Sequence, residues 1–173
     1  MPEPFIHHLR VRFAECDPQG VVFNSHYLAY VDVAITELWR AALGNYQTML
    51  DRGVDVVVAE ARLRFRSPAR FDDELRLEVA VAHMGNTSII SQHRICRQDE
   101  LLVEVEIRHV TVDRATLAKL PIPDWLRSGL SPWLRAPEPA PANPAPADPA
   151  PANPAPADPA PANTAPVDPA PAG

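Results

Sequence analysis

The chain has 173 residues and a formal net charge of -6 at pH 7. An acidic chain lacks the basic surface expected of a nucleic-acid-binding protein, so we expect no nucleic-acid partner. The N-terminus has no apolar run behind a basic start, and no stretch approaches the roughly 18 consecutive apolar residues of a membrane span. Cys16 and Cys96 are too few and too far apart for a disulfide framework or a zinc knuckle. We therefore expect a cytoplasmic protein without a membrane span.

The C-terminal part of the chain differs sharply in composition from the rest. Residues 136–173 contain only Ala, Pro, Asn, Asp, Glu, Thr, Val and Gly, and the unit NPAPADPAPA at 143–152 repeats identically at 153–162. Without large apolar side chains this segment cannot bury enough area to offset its ordering entropy, and its prolines favour extended polyproline II. We predict one domain over residues 1–135 and a disordered Pro/Ala-rich tail over residues 136–173.

Hydrophobic periodicity within the domain predicts five strands and one long helix. In chain order these are a strand at about Ile6–Phe13, a helix over Asn24–Leu43, and strands at Arg62–Arg66, Leu75–Val81, Thr87–Cys96 and Leu101–Asp113. Asn24 or Ser25 is expected to cap the helix, and Gly44 is expected to end it. More than one side of the helix is apolar, which indicates that it is buried. The combination predicts an α+β fold in which an antiparallel sheet of about five strands curls around one central helix.

One run of residues is specific enough to indicate a family. Residues 12–27, RFAECDPQGVVFNSHY, resemble the signature R-F-x-x-x-D-x-x-G-x-V-[FY]-[NH]-x-x-Y of hotdog-fold acyl-CoA thioesterases related to 4-hydroxybenzoyl-CoA thioesterase and to the Tol-Pal-associated thioesterase. The order of the predicted elements agrees with that fold, and weaker similarities at 65–75, 85–89 and 112–123 extend the resemblance over about residues 5–126.

The resemblance implies a hotdog fold and a thioesterase that hydrolyses a small aryl- or short- or medium-chain acyl-CoA to the free acid and CoA. It implies no separate cofactor, because CoA is part of the substrate. It also implies a homodimer, or a homotetramer made of two dimers, with the site between subunits. Metal and nucleotide-cofactor chemistry have no support, because no phosphate-binding loop, dinucleotide fingerprint, nucleophile elbow or HExxH motif is present.

Asp17 is the candidate catalytic residue. Thioester hydrolysis needs a carboxylate or base near the carbonyl carbon, and donors where the oxyanion develops. Gly20 permits a sharp turn after Asp17, so that the backbone amides around Phe23–Ser25 at the start of the helix can face the acyl oxygen. The resemblance gives Asp17 the role of nucleophile or of general base. From spacing alone, Asp17 can equally be just the first residue of a D-P-x-G turn.

Further residues are predicted to contact substrate. These are Gly20, Val22, Phe23, Asn24, Tyr27, Asp32 and Ser88. Asp32 lies at the edge of an apolar helix stripe, where an acid needs a partner. The resemblance implies a place near the acyl group, and the alternative is pairing with an arginine or a backbone amide across a subunit interface. Ser88 is expected to bond the pantetheine arm or a neighbouring subunit's catalytic loop, or else only to start a strand.

Two alternative functions remain open at this level. His26, just inside the helix, allows a hotdog hydratase or dehydratase. The chain can also be a binding or assembly protein whose hotdog core no longer catalyses and whose tail recruits a partner.

Overall fold

The computed structural model describes residues 3–135; the predicted tail at 136–173 lies outside the described residues and stays a prediction. The strands are β1 (Phe5–Arg10), β2 (Val54–Phe65), β3 (Glu74–Met84), β4 (Ser88–Arg97) and β5 (Glu100–Asp113). The α-helices are α1 (His26–Leu43), α2 (Tyr46–Asp51) and α3 (Asp124–Leu130). Single 3-10 turns occupy Phe13–Glu15 and Ser131–Trp133.

The five strands form one antiparallel sheet in the order β1-β3-β4-β5-β2. Alternate residues of each central strand face α1 and are buried, because strand side chains point to opposite faces in turn. The core joins α1 residues such as Val31, Ala34 and Leu38 to sheet residues such as Val79 and Val105. The predicted α+β fold, a curled five-stranded sheet with one long helix, is therefore confirmed.

Helix α1 begins and ends close to its predicted limits, but one of the expected caps is absent. It begins at His26 rather than Asn24, because residues 24–25 form a turn in which the His26 N–H donates to the Phe23 carbonyl at 2.9 Å. Ser25 occupies the N-cap position without a side-chain hydrogen bond to the helix, so the prediction of a side-chain cap was wrong. Gly44 ends the helix at φ 87, as predicted.

The prediction missed the two short helices. Helices α2 and α3 have 6 and 7 residues, which is too short for a helical period to stand out. Helix α3 nevertheless adds two fully buried side chains, Leu126 and Leu130, to the core. Gly129 packs so tightly that an added Cβ would lie 3.0 Å from the Ala42 carbonyl oxygen of α1. Over residues 3–135, no helix is both long and apolar enough to cross a membrane.

Candidate active site

Residues 15–23, between β1 and α1, fold into a short hairpin with Asp17 near its tip. The Phe23 N–H donates to the Glu15 carbonyl, and the Asp17 N–H donates to the Val21 carbonyl, both at 2.9 Å. The Gly20 N–H closes the turn on the Asp17 carbonyl at 2.9 Å. Gly20 has φ 74, a left-handed conformation that glycine adopts without steric cost. The sequence D-P-x-G therefore forms the expected turn.

The Asp17 side chain is half-buried and fixed by its own turn. Its Oδ1 accepts the Gln19 N–H at 2.8 Å and lies 3.5 Å from the Val21 nitrogen, as in other Asp turns. Within residues 3–135, Oδ2 accepts no hydrogen bond. The turn and the catalytic interpretations are thus compatible, because the turn holds one oxygen of the carboxylate and leaves the other without a hydrogen bond among residues 3–135.

Glu15, two positions before Asp17, is a buried residue whose two carboxylate oxygens both accept hydrogen bonds. Its Oε2 accepts the Tyr30 hydroxyl at 2.7 Å and the Arg12 N–H at 2.8 Å, and its Oε1 accepts Arg12 Nε at 2.8 Å. Burial by itself raises the pKa of Glu15, but the hydrogen bonds from Arg12 and Tyr30 outweigh it and lower the pKa overall. Glu15 is therefore ionised at neutral pH. No sequence signal pointed to this residue.

Tyr27 and Val22 are both buried at the second arm of the hairpin. The Tyr27 hydroxyl accepts the Ala69 N–H at 2.9 Å, and the Ala69 carbonyl accepts the Val22 N–H at 2.8 Å. The Tyr27 ring meets the Phe65 ring edge-on, with centroids 5.5 Å apart. The Tyr27 hydroxyl and the Val22 N–H thus already have hydrogen-bond partners within the protomer. Contact of Tyr27 and Val22 with a substrate stays a prediction.

The backbone donors at the start of α1 are fewer than expected. The Phe23 N–H is occupied by the Glu15 carbonyl, so it is not free for an oxyanion. The N–H groups of Asn24 and Ser25 have no acceptor in the described part of the chain. They lie just before the positive end of an 18-residue helix, where unpaired amides favour negative charge. The predicted oxyanion donors therefore narrow to Asn24 and Ser25. His26 follows them and is half-buried.

Asp32 lies further along α1, on its exposed side, and it makes no hydrogen bond or ion pair to the residues described here. The negative charge of Asp32 favours a higher pKa for the His109 side chain of β5, where it opposes the larger effect of burial. It also contributes to the raised pKa of Tyr46 on α2. Asp32 is thus associated with the α2 end of the sheet rather than with the Asp17 hairpin.

Ser88 is not brought to Asp17 within one protomer. Ser88 pairs with Val110 of β5, whereas Phe65, beside the Asp17 hairpin, pairs with Val103. The two positions are seven residues apart on β5, roughly 23 Å at ~3.3 Å per residue. A role for Ser88 at an Asp17 site therefore requires a second subunit. Over residues 3–135, no three His, Cys, Asp or Glu side chains group closely enough to hold a metal ion.

The curled antiparallel sheet and its long helix define a hotdog fold, with a carboxylate-bearing hairpin at the start of the helix. The crystal structure of a Thermus thermophilus protein matches the chain with a TM-score of 0.67 and 32% identity, covering 74% of this chain and 98% of that one. An acyl-CoA thioester hydrolase named YbgC, from Escherichia coli O6:H1, is 32% identical over 106 residues, which are 61% of this chain and 79% of that protein. The 4-hydroxybenzoyl-CoA thioesterase of a Pseudomonas species is 28% identical over 91 residues, 51% of this chain and 64% of that enzyme.

The family model described as the thioesterase-like superfamily matches residues 11–130. The chain belongs to this superfamily. The enzyme class expected from the sequence, a thioester hydrolase of the hotdog type, is confirmed at the level of the family.

Proposed function

We propose that the protein hydrolyses the thioester of a small acyl-CoA, with Asp17 as the reacting carboxylate. The observation that carries the proposal is the state of the Asp17 side chain, whose Oδ1 is held by the Gln19 N–H while Oδ2 stays open. The free N–H groups of Asn24 and Ser25 are close by in the chain, at the positive end of α1. The similarity to an acyl-CoA thioester hydrolase and to a 4-hydroxybenzoyl-CoA thioesterase supports the substrate class.

The proposed chemistry uses these groups in a fixed order. Asp17 Oδ2 either attacks the thioester carbon, giving a mixed anhydride that water then cleaves, or takes a proton from a water that attacks instead. The negative charge on the carbonyl oxygen is stabilised by the amides of Asn24 and Ser25. The carbon–sulfur bond breaks when the tetrahedral intermediate collapses. In the nucleophilic route this collapse expels the CoA thiolate and leaves the mixed anhydride, which water cleaves afterwards; in the base route it gives the free acid directly. In both routes the proton that the thiolate takes up comes from the water consumed in the reaction. The products are the free acid and CoA, and no cofactor beyond the CoA of the substrate takes part.

We further propose that two protomers assemble through β2 and the exposed side of α1. Strand β2 is a sheet edge that leaves Val58 60% exposed, and α1 leaves Leu28 41% and Val33 44% exposed. Apolar groups along an unpaired edge favour pairing with another chain. A dimer, or a tetramer of two dimers, would bring the partner's copies of Asp32 and Ser88 near the Asp17 hairpin. Gly20, Phe23 and Asn24 would contact substrate from the hairpin itself. The proposed location is the cytoplasm.

Replacing Asp17 with asparagine tests the catalytic assignment. Asparagine keeps an Oδ1 that accepts the Gln19 N–H, so the turn survives while the negative charge is lost. We expect Asp17→Asn to keep the thermal unfolding midpoint and oligomeric mass of the parent while hydrolysis falls by about 10²- to 10⁴-fold. Release of the CoA thiol from aryl, short-chain and medium-chain acyl-CoAs measures the rate.

Asp51→Asn is the matched control, because Asp51 is an exposed acid on α2 that accepts a hydrogen bond from Gln47 at 2.7 Å. This variant should hydrolyse acyl-CoA at the parent rate. Full activity in Asp17→Asn would disprove the assignment of Asp17, and failure of the parent protein on every acyl-CoA would disprove the proposed function.

A further inference from the structure

Two tyrosines of α1 hold the two arms of the Asp17 hairpin. Tyr30 donates to the Glu15 carboxylate on the first arm at 2.7 Å. Tyr27 accepts the Ala69 N–H, and the Ala69 carbonyl in turn accepts the Val22 N–H on the second arm. The two tyrosine rings meet edge-on with centroids 5.9 Å apart, so they support one another on successive turns of the helix. The helix therefore fixes the hairpin at its base on both sides.

The Glu15 arm is the more direct of the two connections to Asp17. Glu15 is 5% exposed and carries four hydrogen-bonding or ionic contacts from Tyr30 and Arg12. A buried carboxylate with every lone pair directed at a donor has a single orientation, since any rotation leaves the charge unpaired. Only Cys16 separates it from Asp17. Moving Glu15 would move Asp17 with it.

The hydrogen bond between Tyr30 and Glu15 links the start of α1 to the hairpin arm, and the reaction depends on the relative position of these two parts. Tyr30 belongs to the helix whose first residues follow the Asn24 and Ser25 amides, and Glu15 belongs to the arm that carries Asp17. A carboxylate and an oxyanion site act together only when their separation is held closely, and a shift of about 1 Å can cost about 10²-fold in rate. Arg12 cannot substitute for Tyr30 here, because it lies on the same arm as Glu15.

We propose that Glu15 and Tyr30 are a positioning pair that sets the place of the Asp17 carboxylate relative to the N-terminus of α1. This proposal rests on the proposed function. Neither residue touches the reacting atoms; both act through Asp17. The pair therefore affects the rate at which bound substrate is hydrolysed and leaves the affinity for the substrate nearly unchanged.

Replacing Tyr30 with phenylalanine tests the pair. The ring stays in the core and Arg12 still neutralises Glu15, so the chain folds, but the bond from α1 to the hairpin is lost. We expect kcat for an acyl-CoA that the parent hydrolyses to fall roughly 10- to 100-fold, with KM within about 3-fold of the parent value. Steady-state kinetics give both constants, and thermal unfolding gives the stability.

Tyr46→Phe is the control, because Tyr46 also donates its half-buried hydroxyl to a carboxylate, that of Asp55, away from the hairpin. It should lose comparable thermal stability and keep the parent kcat. An equal fall in kcat in both variants would reduce the Tyr30 effect to general destabilisation and overturn the proposal. An unchanged kcat in Tyr30→Phe, or a change confined to KM, would overturn it as well.

A second variant tests whether the two residues act as one unit. Glu15→Gln should lower kcat to about the same extent, and combining it with Tyr30→Phe should add little, whereas independent effects would multiply. Multiplying effects would contradict the proposed pair. The two proposals fail separately: an active Asp17→Asn removes the proposed function, while an inactive Asp17→Asn with a fully active Tyr30→Phe removes only the positioning pair.

Discussion

Gly20 closes the turn that orients Asp17, and it does so at φ 74. An alanine Cβ there would meet no atom within 4 Å, so the cost of Gly20→Ala is confined to the backbone. A non-glycine residue in the left-handed region costs about 1–2 kcal/mol, and the turn can lower that cost only by rearranging. We therefore expect Gly20→Ala to reduce both the free energy of unfolding, by about 1 kcal/mol, and the rate of acyl-CoA hydrolysis. Denaturant unfolding and steady-state kinetics measure the two effects.

Gly53 offers a matched control for that substitution. It also has φ 74 and open space around its Cβ position, but it lies in the turn before β2. Gly53→Ala should lose similar stability and keep the parent activity. Equal losses of activity in the two alanine variants would show that the turn at Gly20 has no specific role in catalysis.

Asp17 could be found from the sequence because its turn, its glycine and the helix behind it are adjacent in the chain. Glu15 could not, since its meaning depends on Tyr30, fifteen residues away, and the second arm depends on Ala69, forty-two residues from Tyr27. Such contacts are set by the packing of α1 against the hairpin, which local spacing does not encode. For the same reason the sequence could not show that the Phe23 amide is already occupied.

Strands β4 and β5 place two histidines under the helix. His93 and His109 are 2% and 5% exposed, and their Nδ1 atoms have no partner among residues 3–135. Ser91 Oγ lies 2.9 Å from His93 Nε2, and the Trp39 ring meets His109 edge-on. Burial lowers the pKa of His93 to about 3 and that of His109 to about 4, with the nearby Asp32 charge opposing the shift at His109. Both imidazoles are neutral in the folded protein at pH 7.

These lowered pKa values predict acid sensitivity. In the unfolded chain a histidine takes up its proton near pH 6.5, while the folded protein does so only near pH 4 or below. The unfolded state therefore binds more protons between those values, and stability falls as the pH is lowered from about 6.5 to about 4. We expect a loss of the order of several kcal/mol across this range, measured by urea unfolding at a series of pH values.

His109→Leu should flatten that pH dependence by removing one of the two groups. His83→Gln, at an exposed position on β3, should leave the slope as it is in the parent. If the stability curves of the parent and of His109→Leu ran parallel between pH 6.5 and 4, the buried pair would not be the cause.

The length of β2 shows where periodicity misleads. Only Arg62–Arg66 was predicted, because alternation is clear there, but the strand runs over Val54–Phe65. Its first half, VDVVVA, has apolar residues on both faces, so period-2 alternation is absent. The structure leaves Val57 and Val58 of this half exposed at 39% and 60%. This exposed apolar edge is one of the observations on which the proposed dimer rests.

The proposed dimer is tested by placing a charge on that edge. Lysine on an edge strand opposes pairing because its ammonium group must be desolvated in the interface. We expect Val58→Lys to convert the dimer, or the tetramer, into smaller species. Light scattering measures the change in molecular mass. Hydrolysis should fall with it, because the site lies between subunits in our proposal.

Ile6→Lys is the matched control on the opposite edge of the same sheet, where Ile6 of β1 is 45% exposed. It should keep the parent mass and activity. Dissociation by Ile6→Lys instead would move the interface to β1, and a monomeric parent protein would remove the dimer altogether.

The two halves of β2 differ in how readily they could pair with strands of other chains. The half at Val54–Ala59 combines high strand propensity with one charge and no proline, a composition that can add strands without limit. The half at 60–65 carries a charge at every second residue, Glu60, Arg62 and Arg64, and a bulge between Val58 and Glu60 interrupts the register. If two chains pair along this edge as proposed, we expect the charges and the bulge of the second half to oppose the addition of further strands, so that pairing would not extend into a fibril.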